Sequence, residues 1–235
     1  MDCNTKAEFV WASVPSGLQW CIFTTGVSAG CLQFIFLLMM MLEQPGWVDD
    51  SGRVKYISDA LAMHQGIGAV LISLFLVSNC VLGMSFLKYD LIHQCFFYMF
   101  LSLPISSGFS VVAYTNIHHP DEHLVSTMIL FISYAVVIWI VVFMPTKKWI
   151  DSLKMMDYGL AILSTIFAFM FVFLYRRAEG KKTDDEENLK VFDEASYNAD
   201  HSAAAVFEFL TISLFIVFNI MAPFRVRDHL RFQMR

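Results

Sequence analysis

Apolar residues fall along this chain in six long blocks set apart by short polar stretches, at 18–42, 66–87, 95–115, 124–144, 155–175 and 202–224. A helix crosses a hydrocarbon core of roughly 30 Å with about 20 apolar residues, and every block reaches that length. The residue-by-residue alternation of a membrane β-barrel is absent. In lipid, a lone segment must satisfy its own backbone, which only a helix does. The pattern therefore predicts an all-α polytopic membrane protein, a six-transmembrane-helix bundle that makes residues 1–235 a single membrane domain. The short stretches after spans two and four predict antiparallel neighbours. The stretch 176–201 is charged and is predicted to be a partly mobile outer loop.

Composition agrees with the pattern. Hydrophobic residues make up 57% and charged residues 16% of the chain, against about 45–50% and 25% in soluble domains. The net charge of −5, with no basic stripe, argues against a nucleic-acid partner. None of the five cysteines falls in an outer stretch, so no disulfide is expected there. The start of the chain lacks a basic n-region, and the first block is read as a retained span. An even number of spans puts both termini on one side. Lys147, Lys148, Lys154, Arg225, Arg227, Arg231 and Arg235 then favour cytoplasmic termini, with Arg176 and Arg177 as the exception.

Polar residues inside apolar blocks are costly, and they mark candidate sites. Glu208 stands two turns inside the sixth block, and His201 precedes it by seven residues on the same helical face. Such a carboxylate should face the bundle, protonated or held by His201 or by a hydroxyl or amide of a neighbouring span. A functional polar site and a packing hydrogen bond both fit this placement. His64, His118, His119, His123 and His201 all fall on the expected outer side and could respond to an acidic lumen. The spacing of His118, His119 and His123 is not a recognised ligand set, so no metal or other cofactor is assigned. Asn79 and Asn219 are expected to bond across helices. Pro104 should kink the third span, with Ser102 or Ser106 meeting the freed backbone group.

Gly26-Val27-Ser28-Ala29-Gly30 fits two patterns. As a nucleophile elbow it would need a strand–turn–helix setting, which an apolar helix does not give. As small-xxx-small it lets another helix come close, so Gly26 and Gly30 are assigned to helix packing and no residue is assigned to catalysis. Arg225, Arg227 and Arg231 follow the last block and are expected to contact anionic lipid, phosphoinositides included.

Four stretches resemble the damage-regulated autophagy modulator (DRAM) family. They are Tyr56-Ile57-Ser58-Asp59 between spans one and two, Val14-Pro15-Ser16-Gly17 before span one, His123 opening span four, and His201 with Glu208 in span six. Two features depart from the family pattern: Ala60 stands where a glycine follows Ile-Ser-Asp, and Arg225 stands where an aspartate is carried. The resemblance implies a divergent member of the DRAM-like superfamily. It further implies a non-enzymatic adaptor or regulator in autophagy, trafficking or membrane-lipid signalling, in endolysosomal or plasma membrane. Membrane lipids and a membrane-protein partner would be its contacts. The alternatives are a GPI-anchor lipid remodelling factor and an accessory subunit of a larger channel or transporter.

Overall fold

The computed structural model describes residues 16–43, 53–57, 65–84, 91–113, 120–143, 151–188 and 194–231. Six helices cover nearly all of them: α1 Ser16–Glu43, α2 Gln65–Met84, α3 Leu91–Ala113, α4 Pro120–Phe143, α5 Asp151–Asn188 and α6 Glu194–Arg231. Each contains a stretch long and apolar enough to cross a membrane, from Trp20–Met39 in α1 to Glu194–Arg225 in α6. The fold is the expected all-α, multi-pass membrane bundle.

Helices adjacent in sequence pack side by side, α6 closes on α1, and α2 also touches α6 across the middle. The α1–α2 and α5–α6 connections share one end, called here the loop end. The other end carries the start of α1 and the finish of α6. Aromatic rings fill the centre: Tyr134 meets Phe215 at 4.6 Å and Phe75 at 4.9 Å, and Phe131 meets Phe171 at 5.3 Å between centroids. Large apolar side chains also point outward, among them Ile92, Phe143, Met155 and Phe169. Such a surface suits lipid, which solvates apolar groups as well as the core does.

Residues 176–188 and 194–201 of the expected outer loop are helix. Helix α5 continues to Asn188, and α6 already begins at Glu194. At 38 residues each, the two helices are about 57 Å long, well beyond a hydrocarbon core of about 30 Å. Hydropathy ends at the membrane edge, but helix propensity does not, since Ala, Glu, Lys and Arg remain good helix formers in water. Ion pairs tie the extension together: Asp200 of α6 meets Lys181 at 2.5 Å and Arg177 at 3.1 Å, and Lys181 also donates to the Ser196 carbonyl. Residues 189–193 lie outside the described set.

Gly26 and Gly30 face α6. A methyl group at Gly30 would stand 3.0 Å from the Ile220 Cα, and one at Gly26 would stand 2.5 Å from Cγ of the Pro223 ring. Backbone and a proline ring cannot swing aside. At Gly159, nothing lies within 4 Å. Gly→Ala inside a helix ordinarily stabilises by about 0.5–1 kcal/mol. Gly159→Ala should show that gain in thermal melting of purified protein. Gly30→Ala should reverse the sign and lose roughly 1 kcal/mol or more to overpacking.

Two expectations change in detail. Asn79 donates to the Phe75 carbonyl of its own helix at 2.8 Å rather than across to a neighbour. Around Pro104, Ser102 donates to the Met99 carbonyl and Ser106 and Ser107 donate to that of Leu103. The acceptors of these serines are thus carbonyls other than that of Phe100, whose amide partner the proline removes.

Candidate functional site

The α1–α2 connection dips back into the bundle at residues 53–57. Tyr56 and Ile57 are each only 5% exposed. The Val54 amide donates to the Ser202 hydroxyl of α6 at 3.0 Å. The Tyr56 ring packs on the His201 imidazole at 4.4 Å, with Tyr175 at 5.8 Å and Phe171 at 6.3 Å on the α5 side. The Ile57 amide donates to Oε2 of Glu208 at 2.7 Å. Residues 54, 56 and 57 thus engage 202, 201 and 208, with His201 and Glu208 two turns apart on one α6 face.

Glu208 points into the bundle and is 2% exposed. One donor to it is a main-chain amide from the first connection, a partner that the sequence did not indicate. A carboxyl oxygen buried in an apolar bundle needs such a partner, and so does the buried amide. His201 shares the assembly through its ring contacts with Tyr56 and with Tyr197 at 5.8 Å. His123, in the first turns of α4, is also buried, and its carbonyl accepts from Thr127 at 2.9 Å. Ser58 and Asp59, the rest of the loop motif, lie outside the described residues, as do His64, His118 and His119.

Beneath Glu208 lies a cavity of about 90 Å³, lined by apolar side chains such as Ile57, Phe131 and Phe215 together with Thr127 and Gln33. Gln33 leads to a second polar layer that sequence reading passed over. It donates to the Ser78 hydroxyl of α2 at 2.9 Å and accepts from the Asn219 amide of α6 at 3.1 Å. Tyr134 of α4 donates to the Asn219 carbonyl oxygen. Four helices are therefore joined by one chain of side-chain hydrogen bonds in the apolar core. Asn219 fulfils the expectation of a cross-helix bond. Gln33 carried the same signal as Glu208, a polar residue inside an apolar block.

The chain finds no match among protein-family models, curated proteins or solved structures.

At the opposite end, Arg225 meets a partner that the sequence did not indicate. Its guanidinium forms a two-pronged pair with the Asp157 carboxylate of α5, Nε to Oδ2 at 3.1 Å and Nη2 to Oδ1. Nη1 donates to the Phe218 carbonyl at 3.1 Å, and the Phe218 ring lies 4.3 Å from the guanidinium carbon. Both side chains are less than a tenth exposed. Arg225, expected at anionic lipid, thus has its donors turned toward α5 and its own helix. The side chains of Arg227 and Arg231 lie outside the described residues. Among the described residues, no group of three or more His, Cys, Asp or Glu is placed to hold a metal ion.

Proposed function

We propose that this chain is a divergent, non-enzymatic regulator of the DRAM-like superfamily, with both termini cytoplasmic. It acts in autophagy, trafficking or membrane-lipid signalling in endolysosomal or plasma membrane, in contact with membrane lipids and a membrane-protein partner. One observation carries the reading. The residues behind the resemblance come from two stretches 151 positions apart, and they meet in one interlock, Ile57 on Glu208 and Tyr56 on His201. A motif whose halves hold each other works as a structural latch. It fixes the shape of the loop end, the surface that a partner on that side would meet. The engagement of Glu208 by a backbone amide fits a holding role better than a reacting one.

The cavity against Glu208 favours a second reading, a GPI-anchor lipid remodelling factor, because a small apolar hollow beside a carboxyl could take the last few carbons of an acyl chain. Two measurements separate the readings. In cells lacking the chain, autophagic flux should be altered, restored by wild type and not by Glu208→Leu. Purified protein in nanodiscs containing a lyso-GPI or diacyl-GPI lipid should leave that lipid unchanged. Turnover that disappears in Glu208→Gln would overturn the regulator reading in favour of remodelling. Unaltered flux, trafficking and phosphoinositide levels in the deleted cells would sink it outright.

A further inference from the structure

The hollow beneath Glu208 draws its wall from every helix except α5. Leu37 of α1, Ile57 of the first connection, Phe75 of α2, Val111 of α3, Leu130 of α4 and Ile216 of α6 all stand in it. The polar side chains of the wall are engaged. Glu208 accepts from the Ile57 amide at 2.7 Å, Thr127 donates to the His123 carbonyl at 2.9 Å, and Gln33 bonds to Ser78 and Asn219. A buried water needs about two to four polar partners, so this hollow suits apolar matter instead. At about 90 Å³ it has room for about three methylene groups, if each takes roughly the 30 Å³ of a water in the liquid.

Ile57 belongs to the hollow as much as to the latch. Its amide holds Glu208, and its side chain packs with Leu37 and Ile216, two more residues of the wall. An empty hollow leaves one side of this cluster without contact atoms, and the dispersion energy of those contacts is forfeited. The hollow is not sealed. Leu71 and Ile72 of α2 and Leu130 of α4, all in its wall, are only half-buried. Helix α3 packs more loosely on α2 than on α4. At that α2–α3 seam the tip of Ile72 faces Gly108, where a methyl group would stand 3.1 Å from Cδ1. The flexible end of one side chain over bare backbone is a gap that a slim chain can part.

We propose that the hollow holds the methyl end of one acyl chain of a bilayer lipid, taken in through the α2–α3 seam, and that the seated tail keeps the first connection docked on α6. The proposal rests on the latch reading of Ile57 and Glu208, and it asks no reaction of the carboxyl. Size selects the occupant. An apolar cavity of about 150 Å³ holds one benzene ring, so a fused ring system is too broad for this one, while the end of a linear chain fits. Supply agrees, since all six helices are long and apolar enough to cross a membrane and stand among acyl chains there. The tail completes the packing around Leu37, Ile57 and Ile216, and in doing so it holds the inner end of residues 53–57 in place.

The test uses full-length protein in phosphatidylcholine nanodiscs, with a fraction of the lipid carrying a diazirine at the methyl end of one chain. Cross-links should fall on peptides covering residues 68–75 and 127–131, which line the hollow. Ile212→Phe fills the hollow with a ring. It should cut that labelling about tenfold or more, the worth of roughly two buried methylene groups, and leave amide exchange at residues 54–57 slow. Ile72→Trp closes the seam and leaves the hollow empty. It should cut labelling equally, but speed exchange at residues 54–57. Should one variant fail to fold, the parent and the other variant still decide the site. No cross-link to these peptides in the parent, labelling unchanged in a folded variant, or labelling by a photoreactive free fatty acid alone would overturn the tail site. Labelling lost in Ile72→Trp with exchange unchanged would overturn the tail's hold on the latch. Fast exchange at residues 54–57 in a parent that still labels would remove the latch and leave the tail site standing.

Discussion

Arg225→Ala should destabilise the protein by about 3–5 kcal/mol, because it leaves the Asp157 carboxylate buried without its partner. The geometry makes the case. The pair is two-pronged, lies on α5 and α6, and is nearly sealed from its surroundings. Removing either member exposes the other to a medium that cannot solvate it. Removing both is a different experiment, since buried ion pairs are often replaced by apolar side chains at little net cost. Reversible unfolding in mixed micelles should therefore rank Arg225→Ala and Asp157→Leu as severe, and the double variant Arg225→Met with Asp157→Leu as much milder than the sum of the two. If Arg225 served only as a headgroup contact, the single effects would be small and additive. Its aromatic contact adds a smaller term, so Arg225→Lys should fall between, keeping charge but losing the planar fork and much of the stacking on Phe218.

The second large effect belongs to Glu208. Glu208→Leu removes the acceptor of the Ile57 amide, and stranding that buried donor should cost about 1–3 kcal/mol. The damage should be local before it is global. With the amide unmet, residues 54–57 lose the contact that pins their inner end, and the Tyr56–His201 stack should loosen with it. Glu208→Gln retains a carbonyl oxygen for the same amide and should cost less than half as much. A packing role alone would give the opposite order, since leucine fills an apolar site more comfortably than glutamine.

How far the sequence foretold this molecule depends on what kind of group carried each feature. The spans were legible because membrane crossing is a matter of length and hydropathy. Gly26 and Gly30 were legible because close approach needs a missing side chain, and the missing side chain is visible. Glu208 stood out as a carboxylate among apolar neighbours. Its donor did not, because a backbone amide is carried by almost every residue and leaves no mark in composition. Only the dip of the first connection creates it. Asp157 and Arg225 were hidden differently. They lie 68 positions apart, and the arginine sits among tail residues whose charge already had an explanation in membrane orientation. The extensions of α5 and α6 were missed because charge was read as a loop signal, where ion pairs across two good helix-forming stretches sustain helix instead. Gln33, Ser78 and Tyr134 form a middle case: each could be noticed alone, but a bundle must be assembled before they join through Asn219.

The latch between the first connection and Glu208 is the centre of this account, and amide hydrogen exchange at Ile57 tests it most directly. In protein reconstituted in nanodiscs, the peptide covering residues 54–57 should exchange slowly, as a docked and hydrogen-bonded segment does. In Glu208→Leu, exchange at that peptide should rise by about tenfold or more, while peptides from the centres of α4 and α6 stay protected and Glu208→Gln stays close to the parent. Fast exchange at Ile57 in the parent, or slow exchange that Glu208→Leu leaves unchanged, would contradict the latch.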